Sequence, residues 1–150
     1  DFDHIIDDII EKMISKIDKK KYIEEIVSTA TAYHSNSQDK ISKLAENSDI
    51  RVYTSLLSSD PKVKILIKIL HDLDDERLDG YIRQLDNYSS DILSTRNQLA
   101  HAMEESCQNG IYILKSSNKE SQFKLDDFLT LRHKVLDYRD AFNVIKKYVE

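Results

Sequence analysis

An arginine and a histidine with four residues between them, in Arg96-Asn97-Gln98-Leu99-Ala100-His101, are the side chains of this sequence best suited to chemistry. A guanidinium is a planar, permanent cation that grips a phosphate through paired N–H donors. An imidazole takes up and returns a proton near neutral pH. Together they supply what cleavage of an RNA phosphodiester needs without a metal. The bare spacing is a poor signal: random placement of the six arginines and five histidines gives roughly 0.6 pairs with four to six residues between an arginine and a following histidine. The asparagine directly after the arginine, the Leu-Ala before the histidine and the helical setting are what set this segment apart.

The elements that must position these residues read as helices. Only two glycines and one proline occur in 150 residues, and tryptophan is absent, a composition that favours helices over sheets. Phe2, Ile5, Ile6, Ile9, Ile10, Met13, Ile14 and Ile17 recur at steps of three and four, so residues 2–17 predict an amphipathic helix. After the polar run Asp18–Lys21 a weaker stripe resumes through Tyr22, Ile23, Ile26, Val27 and Ala30, and again at Ile41, Leu44 and Ala45, around a polar His34–Gln38. Ser48-Asp49 predicts the cap of a short helix with Val52, Leu56 and Leu57. Asp60-Pro61 predicts an N-cap followed by a first helical residue. The helix beyond it, Val63 to about Leu73, is apolar over more than half its circumference and should be central. Gly80 punctuates before a segment from Tyr81 to about Tyr88.

The motif helix is predicted to start near Ser90 and to stop at Asn109-Gly110. On an ideal wheel Ile92, Leu99, Ala100, Met103 and Cys107 share its apolar face. Asn97 and His101 lie one turn apart on the polar face, and Arg96 falls within the apolar stripe. An arginine there needs a carboxylate, with Asp91 or the Asp72–Asp75 group as candidates, or a helix that restarts at Thr95 with Gln98 completing a capping box. Next, Ile111–Lys115 and Ser121–Leu125 flank a polar turn and predict a small β-hairpin. Asp126 or Asp127 caps the last helix, whose Phe128, Leu131, Val135, Tyr138, Phe142, Ile145 and Val149 form a heptad-like seam. The whole reads as a single all-α domain, residues 1–150, with a small hairpin inserted before the last helix.

Composition bounds the function. The net charge of −5 argues against a broad basic nucleic-acid face, so any RNA contact must be local. One cysteine, Cys107, makes no internal disulfide, which suits the reducing cytoplasm, and excludes a cysteine metal cluster. No apolar run has the length of a membrane span. The chain begins with Asp, which suggests a piece of a longer protein, here read as its C-terminal part. His4, His34 and His71 stand apart without metal-like spacing, and His133 beside Arg132 reads as a surface helix residue. The run Asp72, Asp74, Asp75, Glu76, Asp79 lacks the glycine and ligand spacing of a calcium loop and reads as a solvated helix end.

With those residues in view, Arg96-Asn97-x-x-Ala100-His101 resembles the R-x(4–6)-H signature of HEPN domains, including the polar residue common after the arginine. An all-α chain of this length, with the motif late and an amphipathic helix closing it, is similar in architecture too. The resemblance implies a HEPN-like helical bundle that forms a homodimer and acts as a metal-independent, cofactor-free endoribonuclease in a toxin or phage-defence setting, with an antitoxin or other protein partner. It assigns His101 to acid/base work on the ribose 2′-OH or the leaving 5′-oxygen. Arg96 would hold the scissile phosphate and Asn97 would orient one of them. The products would be a 2′,3′-cyclic phosphate and a 5′-OH. The alternative it implies is a non-catalytic HEPN-like module that dimerises and binds RNA or protein. Where nucleotidyl-transfer-controlled HEPN toxins carry a tyrosine two residues past the histidine, this chain has Met103, which argues against that control. A symmetric cleft between two copies of the motif helix would bring together two arginines and two histidines.

Overall fold

The computed structural model describes residues 2–17, 19–33, 50–101, 103–116 and 119–150. The expectations for His34–Gln38, Ile41, Leu44, Ala45 and the Ser48-Asp49 cap lie outside the described residues. The chain divides into two compact units, residues 1–86 with 141–150, and residues 87–140.

The first unit is helical. The isoleucine stripe forms α1 (Phe2–Lys16), whose Ile6, Ile9, Ile10, Met13 and Ile14 are buried. Each such side chain removed from water stabilises the fold by up to about 1.5–3 kcal/mol. Helix α2 (Lys19–Tyr33) buries Tyr22, Ile26 and Ala30, and a short α3 (Ile50–Thr54) follows. The broad apolar helix α4 (Ser59–Asp72) packs on α1, on α2 and on α5 (Asp79–Asp86), which makes it central as its sequence predicts. Its start differs from the expectation. Ser58 is the N-cap residue, while Asp60 lies in the first turn and pairs with Lys64 at 2.6 Å. Proline fits that first turn because its N–H groups have no intrahelical acceptor. Gly80 sits inside the first turn of α5 rather than before the helix, after a 3-10 turn at Glu76–Leu78.

Polar ties run around this core. Lys62 Nζ pairs with Asp7 at 2.9 Å, and Asp72 accepts from Lys21 at 2.7 Å and from the Tyr22 hydroxyl. The acidic stretch is thus used locally. Asp75 caps the 3-10 turn through the Arg77 N–H, pairs with the Arg77 guanidinium and accepts from the Tyr148 hydroxyl. The last turns of the closing helix, α7 (Leu125–Val149), belong to this unit. Phe142 and Val149 are buried, Phe142 meets the Phe2 ring at 5.4 Å, and Lys146 pairs with Asp8 at 3.1 Å. The predicted seam is therefore sealed over Tyr138, Phe142, Ile145 and Val149, while Phe128, Leu131 and Val135 are only half-buried.

The second unit mixes helix and sheet. A π-helical turn, Ser89–Leu93, leads directly into α6 (Ser94–His101). Three antiparallel strands follow, β1 (Met103–Gln108), β2 (Ile111–Ser116) and β3 (Lys119–Lys124), in the order β1-β2-β3. This corrects two expectations. The motif helix ends at His101 instead of running to Asn109, and the hairpin carries a third strand. Asn109 (φ 53°) and Gly110 (φ 74°) join the paired residues Gln108 and Ile111. Positive φ at both positions of a two-residue loop is the type I′ turn that Asn-Gly favours, so the dipeptide closes a hairpin and does not stop a helix. A bulge at Glu105, between Glu104 and Ser106, breaks the period-two pattern of β1 and hides it from the sequence.

Candidate functional site

Arg96 and Asn97 are both exposed on α6, and His101 is the last residue of that helix. The wheel expectation that placed Arg96 in the apolar stripe is overturned, and the π turn is the physical reason. One extra residue in the turn before α6 advances the phase by about 100° relative to a continuous α-helix. Ile92 and Leu93 are buried, whereas Arg96 and Ala100 reach solvent. Cys107, assigned to the same apolar face, is exposed on β1.

Asp91, one of the carboxylates expected near Arg96, sits in a polar cluster on the inner side of the turn. Asp91 accepts from Lys134 Nζ at 2.6 Å and from the Tyr138 hydroxyl at 2.9 Å. Lys134 holds the Asp91 carboxyl below the usual carboxylate range, with Tyr138 adding to the effect against partial burial. Burial, and then the hydrogen bond to Asp91, pushes the Tyr138 phenol up, so it stays a donor. Tyr138 packs edge-on against Tyr88 at 5.2 Å. The helix does not restart at Thr95 either. Gln98 donates its side-chain amide to the Ser121 hydroxyl on β3, which ties α6 to the sheet.

Within α6 the three site residues share a backbone frame. Asn97 and His101 are one turn apart, separated by about 40° around the axis and about 6 Å along it. Arg96 and His101 diverge by about 140°. The helix thus sets Asn97 beside His101 and sends Arg96 toward a different side.

Next to α6 lies a feature that the sequence reading did not find. An open cleft of about 300 Å³ is walled by Asp91 and Thr95 on the motif side, Gln122 and Phe123 on β3, and Asp127 and Lys134 on α7. Beta-strand β3 is a sheet edge, and Asp127 accepts the Lys124 N–H at 2.7 Å, which closes the first turn of α7 in the manner of half a capping box. Asp127, Leu131 and Lys134 stand at helical spacing on one face, the only part of the cleft a sequence pattern carries. Among the described residues no group of three or more metal-ligating side chains converges, and no helix is long and apolar enough to cross a membrane. Comparison with protein-family models, with curated proteins and with solved structures finds no match to this chain.

Proposed function

We propose that α6 is the RNA-contacting element of a metal-independent endoribonuclease of the HEPN type. The observation that carries this reading is the joint exposure of Arg96 and Asn97 on the helix that ends at His101. A phosphate can reach a guanidinium on the surface and form paired charge-assisted hydrogen bonds with it, whereas a core-facing arginine is shielded from it. In the proposed reaction His101 takes the proton of a ribose 2′-OH, whose oxygen attacks the adjacent phosphorus. The bond to the 5′-oxygen breaks, that oxygen leaves as a hydroxyl with the proton returned by the imidazolium, and a 2′,3′-cyclic phosphate remains. Arg96 stabilises the charge that builds on the phosphoryl oxygens, and Asn97 orients the phosphate or the imidazole.

The divergence of Arg96 and His101 around the helix favours a site completed by a second copy of the chain, with an arginine of one copy facing a histidine of the other. The same divergence favours a second reading, a non-catalytic module that binds RNA through Arg96 alone. The two separate cleanly in one experiment. Single-stranded RNA incubated with the protein in EDTA should yield 5′-OH and cyclic-phosphate ends, and His101→Ala should abolish them. Arg96→Ala should lower the rate about 100-fold to 1,000-fold, with stability lowered by no more than about 1 kcal/mol, the worth of an exposed polar pair. Cleavage that survives both substitutions sinks the assignment. RNA binding that depends on Arg96 without any cleavage selects the second reading.

A further inference from the structure

Thr95 lines the cleft and Arg96 follows it about 1.5 Å further along α6, turned by about 100°, so a strand held at Arg96 has the cleft within reach of a neighbouring nucleotide. We propose that this cleft seats an unpaired guanine base of the bound strand, an inference that rests on the RNA reading of α6. The charges of the cleft select against an anion. Asp91 and Asp127 contribute two carboxylates against the single ammonium of Lys134, so a phosphate is repelled and a neutral, donor-rich group is favoured. A carboxylate has about four acceptor sites. Asp91 uses its oxygens for Lys134 and Tyr138, and Asp127 uses one for the Lys124 N–H, which leaves acceptor capacity on both.

Among the four bases only guanine places two donors side by side, N1–H and the 2-amino group, with the O6 acceptor next to them. The adjacent donors match the carboxylates, and O6 matches the Lys134 ammonium, which lies beside Asp91 at 2.6 Å. Adenine and cytosine offer one exocyclic donor beside an acceptor, and uracil offers one ring N–H between two carbonyls. Phe123 supplies the stacking wall. Its ring is backed by Phe128 at 5.6 Å, and Tyr112 holds Phe128 edge-on at 5.9 Å, so the wall is braced from behind. The volume of about 300 Å³ is at the small end of ligand clefts, roughly 300–1,000 Å³, which suits a base whose sugar and phosphate run out toward Arg96.

Calorimetric titration of the protein with free nucleosides tests the cleft without a phosphodiester. Guanosine should bind tightest. Inosine, which lacks only the 2-amino group, should bind about tenfold more weakly, the worth of one charge-assisted hydrogen bond. Phe123→Leu, which keeps apolar bulk but removes the aromatic face, should weaken guanosine by a further factor of about ten. The nucleoside series on the unaltered protein keeps the test valid even if that variant folds poorly. Equal affinity for all nucleosides, binding of spermidine in place of guanosine, or no guanosine binding in the millimolar range overturns the proposal. Because nucleosides need neither Arg96 nor His101, the two readings fail separately. A protein that binds guanosine but never cleaves RNA loses only the nuclease assignment. One that cleaves RNA with no preference for guanosine loses only the cleft assignment.

Discussion

Lys62 is the charged side chain that is buried among the described residues, at 5% exposure, and its ammonium meets Asp7 at 2.9 Å. The second oxygen of Asp7 is buried and has no hydrogen-bond partner among the described residues. Such a pair is held against a large desolvation penalty, so removing one member leaves an uncompensated charge. Lys62→Ala is therefore expected to cost about 3–5 kcal/mol in urea unfolding, while the double change Lys62→Met with Asp7→Leu should come out near neutral. Asp91 gives a pH-dependent counterpart. Its carboxyl titrates lower in the folded chain than the usual value near about 3.9, so the unfolded chain takes up the proton first. The stabilisation is full above the unfolded value and is lost as pH falls through the folded one. Asp91→Asn should therefore destabilise by about 1–2 kcal/mol at pH 7, and the gap to wild type should narrow as pH falls through the lowered folded value. A gap that stays constant with pH would mean that the Lys134 and Tyr138 bonds to Asp91 do not stabilise the fold.

At the scale of elements, the turn Asn109-Gly110 sets the register of the sheet. A Cβ at Gly110 would meet no atom within 4 Å, so the cost of Gly110→Ala is purely the positive φ of 74°. That amounts to about 1–2 kcal/mol, read as a lower urea midpoint and faster amide exchange across β1 and β2. Unchanged exchange there would argue against the type I′ geometry. This element also shows where sequence reading succeeds and fails. The stripe Ile6, Ile9, Ile10, Met13, Ile14 and the seam Tyr138, Phe142, Ile145, Val149 are legible because the helical phase is constant through each run. Residues 103–108 are not, since Met-Glu-Glu-Ser-Cys-Gln has no strand alternation and the bulge at Glu105 removes what remains. The Asn-Gly signal was present but is shared between helix stops and hairpin turns. Only the strand beyond it, paired Gln108 to Ile111, decides between them. For the candidate site, the residue types of Arg96 and Asn97 are legible in the sequence while their exposure is not, because the π turn that sets the phase of α6 leaves no residue signature. The cleft was not legible either, because Asp91 and Lys134 meet across 43 residues of sequence.

Among the described residues of the molecule the buried apolar side chains are unevenly shared. The first unit buries the stripes of α1, α2, α4 and α5 and the end of α7, whereas the second buries mainly Tyr88, Ile92, Leu93 and Tyr138. Local stability follows buried apolar area, so the strands are expected to open before the helical core. Native-state hydrogen exchange should give β1–β3 amides smaller opening free energies than those of α1 and α4, and equal values would mean the two units unfold as one. The charge of −5 has its own consequence for the proposed RNA contact. With contact confined to the neighbourhood of Arg96, binding should neutralise one or two phosphates, giving a shallow slope of roughly −0.7 to −1.4 in log affinity against log salt for single strands. A slope several times steeper would point to a broad basic face elsewhere.

The π-helical turn at Ser89–Leu93 also bears on how this sequence tolerates change. Substitutions inside the turn alter single side chains, but a one-residue deletion there would re-aim every position of α6 without altering its composition. Arg96 would swing from solvent toward the buried side, and the spelling of the motif would remain intact. Length is therefore a specified quantity in this stretch, as much as residue identity is. Deleting the exposed Ser90, which keeps the buried Tyr88, Ile92 and Leu93, should separate the two, since the proposed RNA contact would then be lost with the Arg96–His101 segment unchanged.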